Sequence, residues 1–171
     1  MFYSPALAIA TGTVELIIAS WVFFYGKRDK NTFLAGLILV FLAGYQLIEP
    51  FVCANPKDTF LARLAFADVI WLPALGILLL NNMMDKPSLF RRIFSYGYLL
   101  TSAALVVMVF TVPGFIRETV CDVVFANFKT DEMPLYLVYA VIYDTGLLVI
   151  VLSGVSAVAR TADELKRRMM G

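Results

Sequence analysis

Four carboxylates stand alone inside long apolar runs: Glu15 in "TGTVELIIAS", Glu49 in "GYQLIEP", Asp68 in "LARLAFADVIWLP" and Asp144 in "VIYDTGLLVI". Protonated, such groups bond one helix to another. Ionised, they hold a cation or a basic ligand, and in series they relay protons. Arg63, close to Asp68, is the one basic residue within these runs. Aromatic and polar residues accompany the acids. Gln46 and Tyr45 precede Glu49 at i−3 and i−4, Trp71 follows Asp68 by one turn, and Tyr136, Tyr139 and Tyr143 recur at i, i+3 and i+7. A few polar groups converging among aromatics is the usual lining of a small-molecule pocket. The competing reading is structural, with tyrosines packing helices and acids pairing them.

Absent residues narrow the chemistry. The chain contains no histidine, so the commonest zinc and haem ligand and the usual general base are missing. No lysine stands inside an apolar run, which excludes a retinal-type Schiff base. Neither a glycine-rich phosphate loop nor a nucleophilic serine motif is present. An enzyme would have to work with carboxylates alone, so a non-enzymatic role is expected. No cofactor can be named from the residues, no metal site is expected, and no nucleic-acid-binding domain is recognisable.

The elements that must position these groups follow from composition. Of the 171 residues, 61% are hydrophobic and only 16% charged, with a mean hydropathy of +0.82. A soluble domain has ~45–50% apolar and ~25% charged residues. Five stretches approach the ~20 apolar residues needed to cross ~30 Å of hydrocarbon. They predict an all-α, polytopic membrane protein with helices at about 4–25, 32–54, 60–81, 92–112 and 134–158, followed by a basic cytoplasmic tail over 159–171. The opening "MFYSP" has no basic residue, unlike a cleaved signal peptide. Lys27, Arg28 and Lys30, then Lys86, Arg91 and Arg92, then Arg160, Lys166, Arg167 and Arg168 fall on one side. Lys57, Arg117 and Lys129 fall on the other. Ten basic residues against three place the N-terminus outside and the C-terminus inside, in the plasma (inner) membrane.

Depth then sorts the acids. At 1.5 Å per residue, Glu49 lies about 7 Å and Asp68 about 12 Å from the outer ends of their helices, and Glu15 and Asp144 roughly 15–17 Å in. Arg63 stands about 140° around the helix from Asp68, so its expected partner is Glu49 on the neighbouring helix. Cys53 and Cys121 share the outer side, where a disulfide is chemically allowed; two free thiols are the alternative. The segment 113–133, "PGFIRETVCDVVFANFKTDEM", is the one long outer connection. Phe115, Ile116, Val120, Val123, Val124 and Phe128 roughly follow a helical period in it. It reads either as a short amphipathic surface helix or as an irregular loop, in both cases a lid over the outer mouth. Short loops, "GKRDKN" and "NPKDT", make the first three helices antiparallel neighbours, and Pro87 and Ser88 form a turn before the fourth.

The order of features resembles the N-terminal seven-helix sensor region of archaeal and bacterial membrane histidine kinases. An outside N-terminus leads to an apolar helix and a basic loop, "FFYGKRDKN". The second helix ends in "GYQLIEP", the third opens "FLARLAFADVIWLPALGILLL", and "TVPGF" follows the fourth. The resemblance covers residues 3–112 and, more loosely, 134–158. It implies an outer ligand pocket. This chain departs from the family in having five predicted helices and neither a kinase core nor its phosphorylated histidine.

Together these readings predict a non-enzymatic membrane sensor or ligand-binding module. Its pocket would hold Glu49, Arg63, Asp68, Trp71, Tyr139, Tyr143 and Asp144, with Glu15 a further intramembrane acid. The fifth helix and tail would pass its state to a cytoplasmic or membrane partner, or to another copy in a homo-oligomer. The alternatives are a small subunit of a larger membrane complex and a carboxylate-based proton or cation transporter.

Overall fold

The computed structural model describes residues 5–84, 88–121 and 126–170; the side chains of Asn127 and of 157–170 lie outside that description. So do the opening residues "MFYS", the turn-former Pro87, and Val123 and Val124 of the predicted outer segment. The helices are α1 (Pro5–Tyr25), α2 (Lys30–Ala54), α3 (Thr59–Val69), α4 (Trp71–Asn82), α5 (Leu89–Thr111) and α6 (Met133–Met170). A short hairpin, β1 (Glu118–Cys121) and β2 (Ala126–Lys129), interrupts the last two. With α3 and α4 taken as one, five helices are long and apolar enough to cross a membrane.

Helix starts carry recognisable caps. Asp29 accepts from the Thr32 amide, Asp58 from those of Phe60 and Leu61, and Ser88 from that of Arg91. The Ser88 cap moves the start of α5 to Leu89, ahead of the predicted 92. The span expected over 60–81 is present as Thr59–Asn82, divided into α3 and α4 by one residue, Ile70, which keeps right-handed helical angles. Pro73 explains the break, because it has no N–H for the Val69 carbonyl and its ring crowds that turn.

Close approaches by small residues set the packing. α1 lies on α2, where a Cβ on Gly12 would come 2.9 Å from Leu47 Cγ and one on Gly36 would meet the Phe23 ring at 2.8 Å. The α3/α4 unit contacts α2, α5 and α6 and is the most enclosed of the five candidate spans; α6 is the least. α6 lies against α4. A Cβ on Gly146 would sit 2.5 Å from Pro73 Cβ, and one on Gly76 would sit 2.5 Å from Ile150 Cδ1. The Tyr98 hydroxyl of α5 donates to the Ile142 carbonyl of α6.

The segment 113–133 is neither surface helix nor irregular loop: its described residues form the antiparallel hairpin, with Glu118 opposite Lys129, Thr119 opposite Phe128 and Cys121 opposite Ala126. Gly114, at φ 80°, turns the chain away from α5. From there burial alternates as a strand requires. Thr119 is buried while Glu118 and Val120 are exposed, so Val120 does not join Phe115 and Ile116 on one face. The ion pairs Arg117–Asp131 and Lys129–Glu118, each 3.1 Å, are well exposed and add little.

A disulfide between Cys53 and Cys121 joins the hairpin to the end of α2, closing a separation of 68 residues. In the chain-entropy description such a loop stabilises by about 4 kcal/mol. Denatured, unreduced protein should therefore take up no thiol label and reduced protein two. Cys53→Ser should lower the thermal midpoint in detergent. Two labels on unreduced protein would contradict the pairing.

Candidate functional site

Under the hairpin, where an open pocket was expected, the space is filled. Phe66 is the hub, with ring centroids of Phe128 at 4.7 Å, Tyr139 at 5.0 Å, Phe115 at 5.7 Å and Tyr136 at 6.1 Å. Val52, Ile70, Val109 and Phe115 are fully enclosed around it. Tilted rings of this kind pack tightly, and the open space at this end, about 630 Å³, lies outside the cluster beside Phe128, Tyr136 and Lys129.

The hairpin is fastened to this plug by polar contacts. Glu49, 4% exposed, accepts a hydrogen bond from the Ala126 amide at 2.9 Å. The Thr119 amide donates to the Pro56 carbonyl at 3.1 Å. With the disulfide, three ties hold the hairpin to α2 and the turn after it. Glu49 therefore serves a strand amide, and its predicted ion pair with Arg63 does not form.

Arg63 instead reaches the end of α5. Its Nη1 donates to the carbonyls of Val109 and Phe110, both at 2.9 Å, and Nη2 donates to that of Val112 at 3.1 Å. The last carbonyls of a helix lack intrahelical donors and carry the negative end of its dipole. A planar guanidinium can serve three of them at once. This is why Arg63 does without a carboxylate.

Asp68 lies against α2 at Gly44. A Cβ on Gly44 would come 2.9 Å from Oδ1 and 3.2 Å from Oδ2, so the glycine lets the carboxylate lie close against α2. Its Oδ2 is buried with no hydrogen-bond partner. Tyr139, Tyr45 and Asp68 are close enough to interact electrostatically, and the Tyr139 and Tyr143 rings lie parallel at 6.4 Å. The Tyr139 hydroxyl donates to the Phe66 carbonyl at 2.8 Å. Trp71 packs towards Phe41 of α2 at 6.3 Å.

Glu15 Oε2 is likewise buried and unpartnered. Gly12 lies against Gln46 and Leu47, and Gly36 against Phe23, so the antiparallel register puts Glu15 level with Ala43 and Gly44. Glu15 and Asp68 thus flank α2 at one depth. A buried carboxyl oxygen without a donor calls for its own proton, a water or a small cation. Asp144 does not join them, because it is exposed on the outside of α6. Of the predicted site, then, Tyr139, Tyr143 and Trp71 border one apolar cluster with Asp68 near Tyr139, while Glu49, Arg63 and Asp144 each go elsewhere. Among the described residues no acidic, cysteine or histidine cluster could hold a metal.

A feature absent from the sequence reading lies at the opposite end. A cavity of about 550 Å³ opens between the α1–α2 turn and α4–α5, lined by Lys27, Arg28, Lys30, Phe23, Asn82 and Tyr96 among others. Asp29 is the acid there, but its carboxylate caps Thr32 at 2.7 Å, which holds it below the usual carboxylate range. The net character is cationic above an apolar floor of Phe23 and Leu34, chemistry that suits an anionic headgroup. The signal was present in "GKRDKN" but served only to orient the chain.

The chain matches no family model, no curated protein and no solved structure.

Because Arg63 and Glu49 share no partner, their losses should add. Arg63→Ala should destabilise by about 2–3 kcal/mol, as charged hydrogen bonds to orphan carbonyls are lost, and Arg63→Lys should recover part of this. Glu49→Gln in the Arg63→Ala background should cost the same as in the native chain, within ~0.5 kcal/mol. Relief of the Arg63→Ala defect by Glu49→Gln would show an ion pair after all.

Proposed function

We propose that this chain is a non-enzymatic sensory module of the plasma membrane, which carries the state of its hairpin end along α6 to a partner inside. The observation that carries this reading is the continuity of α6. It begins at Met133, just after the hairpin strand that ends at Lys129, and runs unbroken for 38 residues. At 1.5 Å per residue it is ~57 Å long, against ~30 Å of hydrocarbon. A rod of that length joins the two sides, and its contacts with α3, α4 and α5 couple it to the rest of the bundle.

Its upper end is coupled to the sensing region by chemistry already described. Tyr139 is hydrogen-bonded to the Phe66 carbonyl and packed into the ring cluster beneath the hairpin. Asp68 and its unpartnered oxygen lie beside it. A proton, a water-borne cation or a basic ligand reaching Asp68 would change the surroundings of Tyr139 and hence the seating of α6. The basic residues at the other end orient the hairpin outwards. The resemblance to seven-helix sensor regions agrees with this direction of signalling, with a partner supplying the output that this chain lacks. A second reading, a small subunit of a membrane complex, is favoured by Asp144, an acid exposed midway along a span. No observation favours the transporter, since Asp144 lies apart from Glu15 and Asp68.

Hydrogen–deuterium exchange of the chain in nanodiscs tests the coupling. Tyr139→Phe removes a bond contributing about 0.5–1.5 kcal/mol, so amide exchange across residues 157–170 should change roughly 2–10-fold while α1 stays as it was. Asp68→Asn should alter the same tail amides. Tail exchange indifferent to both substitutions, in a protein that retains its native thermal midpoint, would remove the sensor reading.

A further inference from the structure

Walls from α1, α2, α4 and α5 surround the cavity at the end away from the hairpin. α1 and the turn after it supply Phe23, Lys27 and Arg28, α2 supplies Lys30, α4 Asn82 and α5 Tyr96. Its volume, about 550 Å³, falls within the ~300–1,000 Å³ of small-ligand sites.

Charge sets its chemistry. Three basic side chains and one acidic one line it, a net charge of +2. Asp29 caps α2 through the Thr32 amide and forms no ion pair with its basic neighbours. At the hairpin end, by contrast, Arg117 and Lys129 are each paired with an acid at 3.1 Å. Lys27, Arg28 and Lys30 have no such partner among the described residues, and the Asn82 amide and Tyr96 hydroxyl make no hydrogen bond with them. Unused donors around a net positive charge suit phosphate oxygens, which a guanidinium binds as a fork and an ammonium as a point charge.

Position decides between a soluble phosphate and a lipid. α1 ends at Tyr25, α2 begins at Lys30 and α4 ends at Asn82. The basic rim therefore stands where three candidate spans pass from hydrocarbon to headgroups. Trp21, Tyr25 and Tyr96 are 65, 74 and 58% exposed at this level, as interfacial aromatics are. Each apolar member of the floor lies four residues further into the span than a polar one: Phe23 from Lys27, Leu34 from Lys30, and Leu78 from Asn82. That step is ~6 Å. A free phosphate gains nothing from an apolar layer beneath it, whereas a lipid lays the start of its acyl chains there. We propose that this cavity binds one anionic phospholipid, its phosphate on the three basic side chains, its headgroup hydroxyls on Asn82 and Tyr96, and its chains on the apolar floor. The site does not rest on the sensory reading, nor on which leaflet this end of the bundle meets.

The test is native mass spectrometry of the full chain, titrated with dioleoylphosphatidylglycerol or with zwitterionic dioleoylphosphatidylcholine. One phosphatidylglycerol should be retained roughly tenfold more tightly than phosphatidylcholine, and Lys27→Gln and Lys30→Gln should each weaken it about fivefold. Asn82→Trp, which fills the headgroup space without changing charge, should weaken it roughly tenfold. Arg91→Gln removes a charge at the same end of the bundle but from a separate cavity, and should leave this binding unchanged. Thermal midpoints in nanodiscs read the same site independently. Phosphatidylglycerol should raise the midpoint of the native chain and not that of the Lys27→Gln/Lys30→Gln double variant. Equal retention of the two lipids by the native chain would overturn the proposal. So would a loss on Arg91→Gln that matches the loss on Lys27→Gln, since diffuse charge would then suffice. Displacement of the lipid by an equal concentration of inorganic phosphate would also overturn it, in favour of a soluble anion.

Discussion

The break at Ile70 is the constraint on which the rest of the structure depends. There Pro73 withholds an amide from the Val69 carbonyl, and the span Thr59–Asn82 divides into α3 and α4 at the centre of the bundle. α6 is attached on both sides of the discontinuity: Tyr139 donates to the Phe66 carbonyl before it, and Gly146 lies against Pro73 after it. Phe66 also centres the aromatic plug beneath the hairpin. The hairpin, the central span and the long last helix therefore meet around this junction.

The charges inside the spans are distributed by the same economy of backbone groups. Glu49 and Arg63 do not neutralise each other. Each satisfies backbone that the fold leaves open, a strand amide in one case and the carbonyls at the end of α5 in the other. Glu49 ties the hairpin to α2, and Arg63 ties α3 to the end of α5. Asp68 and Glu15 are different, each with one buried oxygen that has no hydrogen-bond partner among the described residues, and Asp144 is set apart by facing outwards. Structural charges and candidate functional ones thus differ in whether a buried oxygen is left over once the contacts among the described residues are made.

Much of the architecture was legible in the sequence. Apolar run length located the five spans to within a few residues. Cysteine sidedness pointed to the Cys53–Cys121 bridge. The site was less legible, for definable reasons. The partners of Arg63 are main-chain carbonyls, which leave no mark in a sequence of side chains. The segment 113–133 contains apolar residues that satisfy a helical period on paper, but Gly114 and the alternation of Thr119 and Val120 favour strands. Depth grouped Asp144 with Asp68, whereas helical face, not depth, decides which acids meet. Pro73 was visible as a proline, but its effect on the register of α6 needed the packing of Gly146 to be seen.

The central claim is that Tyr139 depends on the Pro73 break to couple α6 to the hairpin plug. A double-mutant cycle between Pro73→Ala and Tyr139→Phe, read as unfolding free energy in detergent, tests it most directly. If the break positions the Phe66 carbonyl for the Tyr139 hydroxyl, the two changes should be non-additive, with a coupling of about 0.5–1.5 kcal/mol. Strict additivity, with Tyr139→Phe costing as much in the Pro73→Ala background as in the native chain, would contradict it.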